Sequence, residues 1–90
     1  GTYNGLFKNN KRHGLGTYNF KSGDKYSGQW NKGNKHGQGT YYYPSGNKYV
    51  GQWKNDYKHG QGTMTYKNGL IEKGIWENGK FMYAQGSQNP

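Results

Sequence analysis

Three histidines recur at one phase of the chain: His13, His36 and His59, each preceded by a cation (Arg12, Lys35, Lys58) and followed by a glycine. Imidazole is well suited to metal ligation and to proton transfer near neutral pH, so the triplet raises a metal centre or a general base as readings. The spacing argues against both. Residues at equal phase of a β-repeat with two strands per unit lie roughly 10 Å apart, whereas histidines sharing one zinc each sit within about 2.1 Å of it. The four carboxylates, Asp24, Asp56, Glu72 and Glu77, fall at unrelated phases, and none pairs in the pattern with a nucleophile or a second acid. Without cysteine there is no disulfide or thiolate metal site, and no glycine loop has a phosphate-cradling pattern. The chain is therefore read as non-enzymatic, with no catalytic residue, metal or cofactor. A histidine beside a glycine at a loop exit is expected to bond local backbone and shape the turn.

The histidines belong to a longer repeat. "YNGLFKNNKRHGLGTYNFKSGDK" (3–25), "YSGQWNKGNKHGQGTYYYPSGNK" (26–48) and "YVGQWKNDYKHGQGTMTYKNGLI" (49–71) align without gaps. In each unit Y-x-G-x-W and G-T-Y-x-Y alternate with period two and are bounded by Gly and Asn, the signature of short β-strands. About six polar residues separate the two strands, as in Asn31 to His36, so each unit is expected to be a hairpin with a longish loop. After Trp76 the stretch "ENGKFMY" contains Asn78-Gly79, which suits a two-residue turn. Residues 72–83 are thus expected to form a partial repeat, a shorter hairpin capping the open edge, and 84–90 a loose tail. Ninety residues allow one small domain at most. Ten Tyr, three Trp, three Phe and seventeen Gly in a chain of net charge +9 favour an ordered, turn-rich array over disorder.

Y-x-G-x-W followed by H-G-x-G-x-Y at a period of 23 resembles the MORN repeat (membrane occupation and recognition nexus). The resemblance implies an all-β fold: an elongated, curved, single antiparallel sheet of consecutive hairpins. It also implies use as a scaffold or adaptor that binds partners, with membrane-lipid binding proposed for some members. The departures from the pattern are Phe7 for Trp, Met64 for an aromatic, and Glu72 with no following H-G-x-G.

Strand side chains alternate between faces. Tyr26, Gly28 and Trp30 should share a face with Gly39, Tyr41 and Tyr43, leaving Ser27, Gln29 and Thr40 on the other. Glycines between the rings would open slots where a ring can lie on bare backbone. A lone sheet has no second layer to cover such a face, and domains normally have two. The expected function is capture of an extended or helical protein segment on this aromatic and glycine-lined face. The candidate residues are Tyr18, Phe20, Tyr26, Trp30, Tyr41, Tyr43, Tyr49, Trp53, Tyr66 and Trp76. Tyr18, Phe20, Tyr43 and Tyr66, nearer the rim, are expected to make the direct contacts. Self-packing of Tyr26, Trp30, Tyr49 and Trp53 as a core is the competing reading.

Arg12, Lys35 and Lys58 are expected to line one long edge as a ladder, with Lys25 and Lys48 on the opposite edge. The alternative function is binding of anionic phospholipid, such as phosphoinositides, through these cations. A choline- or glycan-binding repeat is a further alternative, since rings can cage a quaternary ammonium. Nucleic acid is the least favoured partner, because no nucleic-acid motif is present. Pairing of copies through a terminal hairpin is open to an end strand. No apolar run is long enough to span a membrane, and the expected setting is cytoplasmic, peripheral to a membrane or the cytoskeleton.

Overall fold

The computed structural model describes residues 1–84, and most of the expected tail, 85–90, lies outside them. Eight strands follow one another: β1 (Thr2–Lys8), β2 (Lys11–Asn19), β3 (Lys25–Asn31), β4 (Asn34–Tyr42), β5 (Lys48–Lys54), β6 (Tyr57–Thr65), β7 (Ile71–Glu77) and β8 (Lys80–Ala84). They form one open sheet in sequence order, every neighbouring pair antiparallel. The described residues contain no helix. The strip measures 49 × 25 × 16 Å, and a third dimension well above the pleat of a flat sheet reflects the twist of paired strands.

Within each unit the hairpin turn has only two residues. Asn9-Asn10, Lys32-Gly33, Asn55-Asp56 and Asn78-Gly79 all have positive φ, between 49° and 88°. Two such residues in succession make the turn whose twist matches that of the flanking strands, and Asn and Gly adopt it most readily. The longish loop expected from the polar stretch after each Trp is therefore corrected. That stretch is mostly strand, with the two-residue turn at its centre. The longer connections lie between units, where Phe20, Tyr43 and Tyr66 each open a five-residue loop closed by backbone bonds such as Tyr43 N to Asn47 O at 3.0 Å.

The H-G-x-G motif is a bulge. Gly28 pairs with Gly39 and Trp30 with Lys35, so Gln29 alone faces His36, Gly37 and Gln38. Gly37 has φ of 68°, which lets the surplus residues fold out. The Gln29 side-chain carbonyl accepts from Gln38 N at 2.8 Å and closes the bulge; Gln52 does the same for Gln61 N at 2.9 Å. No side-chain hydrogen bond joins His13, His36 or His59 to backbone among the described residues, so the turn-shaping role falls to glycine and glutamine instead.

Register turns repetition into rows. Gly5, Gly16, Gly28, Gly39, Gly51, Gly62 and Gly74 pair one to the next across the sheet. Beside that row run Tyr3, Tyr18, Tyr26, Tyr41, Tyr49, Met64 and Glu72, likewise paired. The first ring of each unit, Tyr3, Tyr26 or Tyr49, folds over the bare glycine pair beside it: a Cβ on Gly39 would collide with the Tyr26 ring, and one on Gly62 with Tyr49.

Candidate functional site

The aromatic face holds the core. Tyr26, Trp30, Tyr49, Trp53, Met64 and Trp76 are buried, Tyr26 and Tyr49 completely. The rings interlock between units. Trp30 meets Tyr3 at 5.7 Å, Trp53 meets Tyr26 at 5.3 Å and Trp76 meets Tyr49 at 5.3 Å, all edge to face. That arrangement suits the charge distribution of aromatic rings. Their polar atoms end on backbone carbonyls. Trp30, Trp53 and Trp76 donate from Nε1 to Gly16, Gly39 and Gly62 at 3.0, 3.2 and 3.1 Å. Tyr26 and Tyr49 donate to Gln29 and Gln52 at 2.9 and 3.0 Å. Burial raises the Tyr26 phenol well above its ordinary range and pushes that of Tyr49 up to about 12.

Tyr26, Trp30, Tyr49, Trp53 and Trp76 are therefore out of reach of a partner in this conformation. That agrees with the core reading of Tyr26, Trp30, Tyr49 and Trp53 and corrects the inclusion of these rings and Trp76 among the contact residues: a single sheet can be its own core when each unit's Trp roofs the preceding unit's Tyr. The rings left half-exposed form a second stripe beside the first. Tyr18 and Phe20 lie 4.5 Å apart, Phe20 and Tyr41 6.0 Å, and Tyr41 and Tyr43 4.6 Å. Tyr66 takes the same phase in the next loop and packs against the core.

Two carboxylates brace this stripe. Tyr41 donates to Asp24 Oδ2 at 2.6 Å, and Tyr66 to Glu72 Oε1 at 2.6 Å. Burial first, and the bond to Asp24 second, raise the Tyr41 phenol above its ordinary value. The Tyr41 hydroxyl first, then that of Ser22, hold Asp24 below the usual carboxylate range. Sequence reasoning missed this role, since Asp24, Asn47 and Leu70 share a phase without sharing chemistry.

The cations expected on an edge lie over the rings. Arg12 stands over Trp30 at 4.8 Å and Tyr18 at 5.0 Å. Lys35 sits within 6 Å of Phe20, Tyr26, Tyr41 and Trp53, and Lys58 likewise of Tyr43, Tyr49 and Trp76. The cause is the bulge, which shifts register so that Lys35 and Lys58 pair directly with Trp30 and Trp53 and share their face. Each cation is also tied down: Arg12 Nη2 donates to Gly33 O at 3.0 Å, Lys58 Nζ to Tyr43 Oη at 3.0 Å, and Lys35 Nζ pairs with Asp56 at 3.5 Å. The solvent-facing ladder of Arg12, Lys35 and Lys58 is thus corrected to three cation–π clusters. Lys25 and Lys48 are exposed at the ends of their strands beside the inter-unit loops.

Among the described residues no group of three or more His, Cys, Asp or Glu is placed to hold a metal ion. No helix there is long and apolar enough to cross a membrane. A search of curated proteins finds no match to the chain. The family model described as the MORN repeat matches residues 3–25, 26–48 and 49–71. Such repeats are generally non-catalytic modules that suggest a repeat scaffold. Three matched units in phase, each folded as a hairpin whose Tyr, Gly and Trp occupy equivalent places, show that this chain belongs to the MORN-repeat family.

Proposed function

We propose that the chain is a non-catalytic scaffold that holds an amphipathic protein segment along its second ring stripe. The observation that carries the reading is that stripe: Tyr18, Phe20, Tyr41, Tyr43 and Tyr66 are only half-buried on the aromatic face, and among the described residues no second layer covers them. Equivalent rings in successive units are two strands, roughly 10 Å, apart. Seven residues of an α-helix rise about 10.5 Å, so a helix with apolar side chains in heptad phase would meet one ring per unit on one side. An extended strand needs about three residues for the same distance, and every third residue switches face. Spacing therefore favours a helix over an extended segment. The cations over the rings favour acidic residues flanking its apolar stripe.

The alternatives draw less support. The ring clusters suited to a choline-like group are filled by Arg12, Lys35 and Lys58. Lipid binding through the edge cations keeps only Lys25 and Lys48 of the five residues expected to carry it. Edge pairing of two copies through β7–β8 is a separate part of the proposal, which mass measurement in solution decides.

The test is a photo-crosslinking residue at position 43, with position 54 on the opposite face as control. Cross-links from 43, absent from 54, to a contiguous protein segment with heptad apolar spacing support the reading. Cross-links only to lipid or glycan, or equal yields from both positions, would sink it. Phe20→Ala should lower the yield of the position-43 variant while the hairpin array stays folded by circular dichroism.

A further inference from the structure

At the first hairpin end two lysines face each other. Lys8 of β1 pairs directly with Lys11 of β2, in a position where like charges repel. The same place in the other hairpins holds Asn31 with Asn34, Lys54 with Tyr57 and Glu77 with Lys80, none a pair of like charges. Alternation puts Lys8, Lys11 and His13 on the face opposite the rings. The turn of the second hairpin adds Lys32. Together with Asn9 these side chains line a cavity of about 270 Å³ that contains no carboxylate.

The side-chain carboxylates of the described residues lie elsewhere. Asp24 accepts from Tyr41 and Ser22, Asp56 accepts from Lys35 N and pairs with its Nζ, and Glu72 accepts from Tyr66, while Glu77 lies at the last hairpin end, opposite Lys80 in register. The cluster thus concentrates three lysines around one concavity without an internal counter-ion. An anion bound there would relieve that repulsion, and the ammonium groups, imidazole and amide lining the concavity supply hydrogen-bond donors to hold it.

We infer that Lys8, Lys11, His13 and Lys32 form a binding site for a multiply charged phosphate group, either the phosphorylated headgroup of a lipid or a soluble phosphate ester. The site is independent of the ring stripe, since it lies on the other face of the sheet. It also uses none of the edge lysines expected from the sequence.

Inorganic pyrophosphate is the probe for the site. Titrated into the isotopically labelled chain at constant ionic strength, it should give saturable amide shifts at residues 8, 9, 11, 13 and 32. The double variant Lys8→Gln, Lys11→Gln should bind at least about tenfold more weakly, the scale of losing one hydrogen bond to a charged group. The pair Lys54→Gln, Lys80→Gln removes equal charge at hairpin ends two and three units away, roughly 20 and 30 Å, and should bind within about twofold of the parent, because exposed charges beyond a Debye length of about 10 Å are screened. Because Lys8 and Lys11 are exposed and repel each other, their neutralisation should leave the melting temperature unchanged or higher, which separates lost binding from lost folding. Equal losses in both double variants, or shifts spread over all lysines without saturation, would overturn the inference.

Phosphatidylcholine vesicles with and without phosphatidylinositol phosphates then identify the source. Retention that disappears with Lys8→Gln, Lys11→Gln and is competed by pyrophosphate assigns a lipid headgroup. Pyrophosphate binding at this site without such retention assigns a soluble phosphate.

Discussion

The indole of Trp53 stands edge-on to the ring of Tyr26 in the preceding unit, with 5.3 Å between centroids, and both rings are buried. Trp53 also donates from Nε1 to Gly39 O at 3.2 Å, so the same side chain binds one unit to the next by ring packing and by a hydrogen bond. Because Trp30 and Trp76 repeat the arrangement, the contact is the joint between units rather than a local detail.

The two parts of that joint are separable. Trp53→Phe keeps a ring against Tyr26 and removes the donor; it should cost about 1 kcal/mol, the net value of a typical hydrogen bond. Trp53→Ala removes the packing too and should cost about 3–5 kcal/mol, much of the stability of a small domain. Urea unfolding followed by circular dichroism measures both. Equal losses from the two variants would show that the ring contact contributes nothing.

Gly39 and the Tyr26 ring occupy adjoining space, and a Cβ on Gly39 would run into that ring. Gly39→Ala should therefore destabilise by about 3 kcal/mol, the upper range for overpacking a core. Combined with Tyr26→Leu, the loss should be smaller than the sum of the two single losses, since both act on one site. Additive losses in a double-mutant cycle would contradict the slot.

The buried phenols set an alkaline limit. Folding raises the Tyr49 pKa from 10.0 to about 12, and that of Tyr26 further, through desolvation. A raised folded pKa means that the unfolded chain loses its protons first. The stabilisation is complete below pH 10 and is lost as pH climbs towards 12. Thermal melts should fall steeply over that window, and tyrosinate absorbance from the core phenols should rise together with loss of the strand signal. Titration of the Tyr26 and Tyr49 phenols at pH 10 in a folded chain would refute it.

On the acid side the relevant group is Asp24. Its folded pKa is depressed, chiefly by the Tyr41 hydroxyl, so its contribution is present above the ordinary carboxylate pKa and is lost as pH falls through the folded value. Asp24→Asn should flatten that part of the stability profile, and Tyr41→Phe, which removes the 2.6 Å bond but leaves that from Ser22, should flatten it to a smaller degree. An unchanged acid limb in both variants would remove this bond from the account. The melting temperature as a function of pH is the measurement.

Much of the fold was legible because its signals are local. Tyr26, Gly28 and Trp30 two residues apart reveal a strand and its faces, and the same spacing at Tyr49, Gly51 and Trp53 reveals the repeat. The two-residue turns were hidden at Lys32-Gly33 and Asn55-Asp56, since polar strand residues continue on both sides and only Asn78-Gly79 carries a plain turn signature. The candidate site was read less well. Ring type predicted the aromatic face and offered Tyr26, Trp30, Tyr49 and Trp53 as its self-packed core, but it did not show that each unit's Trp reaches back over the preceding unit's Tyr.

The sequence by itself determined a ribbon of hairpins with one ring-bearing face, because side-chain alternation and repeat length depend only on near neighbours. The tertiary structure decided where Arg12, Lys35 and Lys58 go. Their place follows from a register shift at the bulge and from indoles contributed by the following unit, so it depends on pairings between residues distant along the chain. The same long-range pairing brought Lys32 of one hairpin turn beside Lys8 and Lys11 of another, where no local pattern of charge pointed to a shared cavity.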